Sequence, residues 1–238
     1  MSTITDLCTE IADKIPQLYG KGKQDERENF WDEALKSSNN IGRFAGRSWT
    51  KNNFNPTKDV ILNGLCNYCF YNSGIEVDLI EFANELGITI NIKPTSSWNM
   101  FQYSAIKGVR VDFTECTDIG NAFADATNME NIVLELKEDG TNTFSGTFTN
   151  CTKLKSLRIE SGFIAKNINF QSSPLTKASI YYVFAHLSPD TETEFTVTFN
   201  KAAVDAAFET SEGSADGSTS AEWEEIVSRL PHITFSLV

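Results

Sequence analysis

The feature that most constrains this chain is a phenylalanine that returns at a nearly fixed interval. Phe101, Phe123, Phe148 and Phe170 lie 22, 25 and 22 residues apart, and each precedes an apolar lead residue by five or six positions. The leads are Ile106, Met129, Leu154 and Leu175. Behind the first three, apolar residues recur at the third and fifth positions: Val109 and Val111, Ile132 and Leu134, Leu157 and Ile159. Ala178 and Ile180 follow Leu175. An earlier copy starts at Phe70, with Ile75, Val77 and Leu79, and Phe44 opens a degenerate first one. Phe70 and Phe101 stand 31 residues apart because a helical insertion, 78–86 with Gly87 behind it, intervenes. Periods of this size belong to leucine-rich repeats.

The pattern dictates a packing problem. Val109-Arg110-Val111, Ile132-Val133-Leu134 and Leu157-Arg158-Ile159 alternate with period two, so each reads as a short strand with one buried face. One such unit cannot bury its own apolar face, but stacked neighbours can. The expected fold is therefore α/β: a leucine-rich-repeat solenoid over 42–180, about five units long, with short parallel strands, irregular connections and phenylalanines stacked opposite the strands. Residues 1–41 read as an N-terminal helical segment, either for assembly and oligomerisation or as a cap packed on the first repeat. Ile4, Cys8, Ile11, Ile15 and Leu18 form an a/d seam, and a second amphipathic stretch runs over 25–35. Residues 181–238 read as a C-terminal α/β capping unit. Its elements are a helix over 175–187, a strand over 194–199, a helix over 202–208, a Gly/Ser-rich loop over 211–220, a helix over 221–230 and a last strand over 233–238.

In-register stacking makes ladders of outward residues about 4.8 Å apart. Arg110, Val133 and Arg158 form one; Asp112, Glu135 and Glu160 form the next. This face is either a mutually compensating solvated surface of Arg–carboxylate pairs or a recognition surface, and as the latter it is the leading candidate for contact with a receptor. As a Ca²⁺ site it lacks turn-supplied carbonyls. A second candidate surface is aromatic: Tyr68, Tyr71, Trp98 and Tyr103 gather around Phe70 and Phe101, and such rings suit saccharide or protein recognition as well as edge packing.

Composition removes other classes. The formal net charge is −12, with 32 acidic against 20 basic residues, which opposes a phosphate backbone, so nucleic acid is not an expected partner. No apolar run is long enough to span a bilayer, and the start, Met1-Ser-Thr-Ile-Thr-Asp6, lacks the basic and apolar regions of a signal peptide. Cys66-Asn-Tyr-Cys69 has no second knuckle or nearby histidine pair, so buried thiols are expected over a metal or redox pair. No GxSxG, HExxH or P-loop is present, and His186 and His232 read as structural. The expectation is a protein that is not an enzyme and uses no cofactor.

The segments Ala122-Phe-Ala-Asp-Ala-Thr-Asn-Met129 and Thr147-Phe-Thr-Asn-Cys-Thr-Lys-Leu154 resemble BspA-type leucine-rich repeats of bacteria and their phages. Ile11-Ala-Asp-Lys-Ile-Pro-Gln-Leu-Tyr-Gly-Lys-Gly22 and Glu28-Asn-Phe-Trp-Asp32 resemble repeat proteins of phage and prophage tail regions. So do Ser173-Pro-Leu-Thr-Lys-Ala-Ser179, Thr196-Val-Thr-Phe-Asn-Lys201 and Glu209-Thr-Ser-Glu-Gly213. The resemblance implies a virion protein, such as a tail-tip, fibre or receptor-binding component, assembled in the host cytoplasm. Its implied partners are other virion proteins, a host surface receptor and, through the N-terminal helix, two further copies of itself. The alternatives are a bacterial protein–protein interaction module or adhesin and, more weakly, a glycan hydrolase built on the carboxylate ladder.

Overall fold

Short parallel strands in three small sheets, with a few helices between them, make up the computed structural model, which describes residues 56, 59–208 and 220–238. In chain order the elements are β1 (Val60–Leu65), α1 (Leu79–Leu86), β2 (Ile90–Ser96), β3 (Gly108–Asp112), β4 (Asn131–Glu135), β5 (Ser156–Ser161), β6 (Ile168–Phe170), α2 (Lys177–Ala185), β7 (Phe195–Phe199), α3 (Lys201–Ala207), α4 (Ala221–Ser228) and β8 (Ile233–Leu237). The sheets are β1-β2, β3-β4-β5 and β6-β7-β8, every pairing is parallel, and no closed barrel forms among the described residues.

The middle sheet follows the alternation. Val109, Ile132 and Leu157 are in register, as are Val111, Leu134 and Ile159, and all six are buried. Behind them the phenylalanine rings form a column. Phe70, Phe101, Phe123 and Phe148 stack with centroids 5.0, 5.2 and 5.7 Å apart and interplanar angles of 4, 9 and 9°. The column continues through Phe170 at 4.9 Å to Phe199 at a further 5.8 Å.

One backbone path carries the first four rings. The residues two before and two after each phenylalanine have positive φ: Tyr68 and Asn72, Asn99 and Tyr103, Asn121 and Asp125, Gly146 and Asn150. The amide of each of the first three phenylalanines donates to the next segment, Phe70 to the Met100 carbonyl (2.8 Å), Phe101 to Ala122 (2.7 Å) and Phe123 to Thr147 (3.1 Å). The amides between them close turns within a segment, as Tyr71 does to Tyr68 and Ala124 to Asn121, both at 3.1 Å. Alternate donors therefore serve the stack and the turn, which answers where the buried polar backbone goes. At Phe170 and Phe199 the residues two before are Ile168 and Val197. β-Branched side chains are outliers in the left-handed region, and here the chain runs extended as β6 and β7, with Phe170 paired to Phe199.

Helices close both edges of the middle sheet. Asp78 caps α1, accepting from the amides of Ile80 (2.8 Å) and Glu81 (3.3 Å), and bridges to Gly108 of β3. Gly87, at φ 65°, ends α1 as its left-handed cap. On the other side, the Ser179 hydroxyl in α2 accepts from the Leu157 amide and donates to the Lys155 carbonyl, both at 2.9 Å. Helix thus replaces strand at two places in the sequence pattern, Leu79 after Phe70 and Ala178–Ile180 after Phe170. The short parallel strands expected over 42–180 divide among three sheets. β6, from before residue 180, joins β7 and β8 from after it, so one sheet spans the division expected at 180/181. The C-terminal helices and strands lie where the pattern predicts. They enclose Trp223, whose ring meets Phe208 at 5.3 Å and Phe184 at 5.5 Å. No described helix is long and apolar enough to cross a membrane.

Candidate functional site

The turn path brings the four predicted aromatics together on the outside of the ring column. Tyr68 meets Trp98 edge-to-face with centroids 5.4 Å apart, and meets Tyr71 at 5.4 Å; Tyr71 meets Tyr103 at 5.6 Å. Trp98 is 47% exposed and Tyr103 49% exposed, among the largest apolar exposures described. The backbone beneath is fixed. The Asn67 side-chain oxygen accepts from the Trp98 amide (2.8 Å) and the Ser96 hydroxyl (2.7 Å), and the Tyr68 amide donates to the Trp98 carbonyl (3.2 Å).

Tyr68 and Tyr103 have φ 62° and 59°. The equivalent positions elsewhere in the column hold Asn, Asp or Gly, the residues that tolerate left-handed backbone. Gly146 is one, and a side chain there would strike Asn121. A bulky residue at positive φ costs about 1–3 kcal/mol, and such strain concentrates at functional positions. Beside Tyr103, the Asp125 carboxylate pushes the phenol above its ordinary value and accepts from the Asn150 amide group at 2.7 Å. Six of the eight turn positions two residues either side of Phe70, Phe101, Phe123 and Phe148 carry the Asn, Asp or Gly that signals such a turn; Tyr68 and Tyr103 do not.

The charged face is a closed set of ion pairs. Arg110 reaches Glu135 (2.8 Å) and Glu160, and Arg158 reaches Glu160 (3.2 Å). Arg110, Val133 and Arg158 are in register as predicted, and so are Asp112 and Glu135. Glu160 is not the third rung of that ladder. β5 bulges there, Ser161 pairs with Glu135, and the extra residue lets Glu160 bind both arginines instead. Lys93 of β2, unanticipated, pairs with Asp112 (3.2 Å). Burial opposes ionisation of Asp112, but the Thr114 hydroxyl and amide and then Lys93 outweigh it and hold its carboxyl below the ordinary range. Exposed pairs of this kind contribute under about 1 kcal/mol each.

Among the described residues no cluster of His, Cys, Asp and Glu is arranged to hold a metal ion. Cys66, Cys69, Cys116 and Cys151 are all free and buried. The Cys151 thiol donates to the Phe123 carbonyl at 3.1 Å, so it satisfies a turn of the preceding segment. His186 Nδ1 lies 2.8 Å from the Tyr182 carbonyl and His232 Nε2 lies 3.2 Å from that of Ser188. Ile4, Cys8, Ile11, Ile15 and Leu18 of the expected assembly helix, the stretch over 25–35 and the copy at Phe44 lie outside the described residues. No family model, curated protein or solved structure matches the chain.

Proposed function

We propose that this chain is a BspA-type leucine-rich-repeat solenoid that serves as a structural and attachment protein of a phage virion, contacting a host surface receptor through Trp98 and Tyr103. The observation that carries the contact surface is the exposed aromatic cluster, two of whose tyrosines occupy backbone positions given elsewhere in the column to Asn, Asp or Gly. Strain kept where a cheaper residue fits is the mark of a position held for something other than stability. The stacked rings, the in-register parallel strands and the stack-to-stack amide bonds support the solenoid. The resemblance of the repeat and flanking segments supports the virion.

The charged face serves as a solvated, self-neutralising wall, since each arginine on it already has a carboxylate partner. Other virion proteins are the proposed neighbours, with a homotrimer formed through the N-terminal segment. Two measurements test this reading. Peptides of the chain should co-purify with particles through a density gradient; their absence would favour a bacterial interaction module. Incubation with cell-wall and capsular glycans should release no reducing ends; release would make it a hydrolase.

A further inference from the structure

We propose that Cys66 and Cys69 are an oxidation site, which a low-molecular-weight disulfide converts into an intra-turn disulfide clamping the backbone that presents Tyr68. The proposal does not depend on the attachment reading. The two thiols stand four residues and one residue before Phe70. The corresponding pairs in the next three segments are Ser97 and Met100, Ile119 and Ala122, and Phe144 and Thr147, so the doubling belongs to this turn alone.

The geometry suits a bond. The Cys69 amide donates to the Cys66 carbonyl at 3.1 Å, closing a four-residue turn. Such turns bring their end Cα atoms within about 7 Å, and a disulfide spans about 4.4–6.8 Å between Cα atoms. Both side chains are buried, and the Cys66 thiol donates to the Asn63 carbonyl at 3.8 Å. The neighbouring Cys69 thiol draws the Cys66 thiol below its ordinary value, and Cys66 pushes the Cys69 thiol above it, so Cys66 is the first nucleophile. Cys116 and Cys151 each lack a second cysteine in their turn, and they donate to the carbonyls of Asp118 at 3.2 Å and Phe123 at 3.1 Å.

When the turn opens locally, Cys66 loses its proton and attacks one sulfur of the reagent. A mixed disulfide forms, and the first thiolate leaves and takes that proton. Cys69 then loses its proton and attacks the Cys66 sulfur, forming the Cys66–Cys69 bond and expelling the second thiolate, which is protonated in turn. Two protein thiols are oxidised, and one reagent disulfide is reduced to two thiols.

The test equilibrates the full chain, under native conditions, with graded ratios of oxidised to reduced glutathione. Samples are quenched in acid, denatured, alkylated and mapped by mass spectrometry. Cys66 and Cys69 should leave the alkylatable pool together, joined to each other, at a ratio at least about tenfold lower than Cys116 or Cys151 requires. A smaller preference, a persistent glutathione adduct on either residue, or a bond from either to another cysteine would overturn the proposal.

Discussion

A tyrosine in the left-handed region works against the fold by about 1–3 kcal/mol, and Tyr68 and Tyr103 both sit there. Tyr103→Asn should therefore leave the melting temperature unchanged or raise it, because relief of strain offsets the lost edge contact with Tyr71, worth about 0.5–1.5 kcal/mol. A clear fall in the melting temperature would mean the ring is there for packing. Cys151 allows a second prediction at this scale. Burial pushes its thiol up to about 12 from the usual 9.0, so the fold keeps a proton that the unfolded chain releases. The contribution is intact below about pH 9 and is lost as pH rises toward 12, at up to about 1.4 kcal/mol per pH unit. Denaturant unfolding followed from about pH 8 to about pH 11 should fall less steeply for Cys151→Ala than for the native chain. The positions of these residues were readable from the phenylalanine spacing. Their backbone conformation was not, because a tyrosine does not signal positive φ as Asn or Gly does.

At the scale of elements, the middle sheet and its two helical edges hold the clearest energetic claims. Ser179→Ala would leave the Leu157 amide and the Lys155 carbonyl without the bridging hydroxyl. The expected cost is about 1–3 kcal/mol in urea unfolding, with hydrogen-exchange protection lost first at Leu157. Phe123→Ala removes a fully buried ring between two stacked neighbours and should cost about 3–5 kcal/mol by the same measurement. β3, β4, β5, β7 and α1 with both its caps were legible, because alternation and capping residues are local signals. β1 and β2 were not, since Gly64 and Pro94 interrupt them and proline argues against a paired strand. β6 is three residues long and hides beneath a phenylalanine that reads as a column anchor. The bulge at Glu160 was also invisible, because nothing in Ile159-Glu160-Ser161 distinguishes a two-for-one register from a regular one.

At the scale of the molecule, the sequence supplied the repeat and its inward and outward residue sets. It put the charged face ahead of the aromatics for receptor contact. Three-dimensional facts favour the aromatic cluster instead: the arginines are already paired, whereas Trp98 and Tyr103 lie open on a fixed turn. The central claim is that the aromatic cluster, and not the charged face, meets the receptor. The direct test is flow cytometry of the purified, fluorescently labelled chain on a panel of intact bacterial cells. It compares the native chain with Trp98→Ala/Tyr103→Ala and with Arg110→Glu/Arg158→Glu. The account predicts that the native chain labels cells, that the aromatic variant loses at least about tenfold of that labelling, as befits loss of buried aromatic anchors, and that the charge-reversed variant keeps it. Full labelling by the aromatic variant, or none by the native chain, would contradict it.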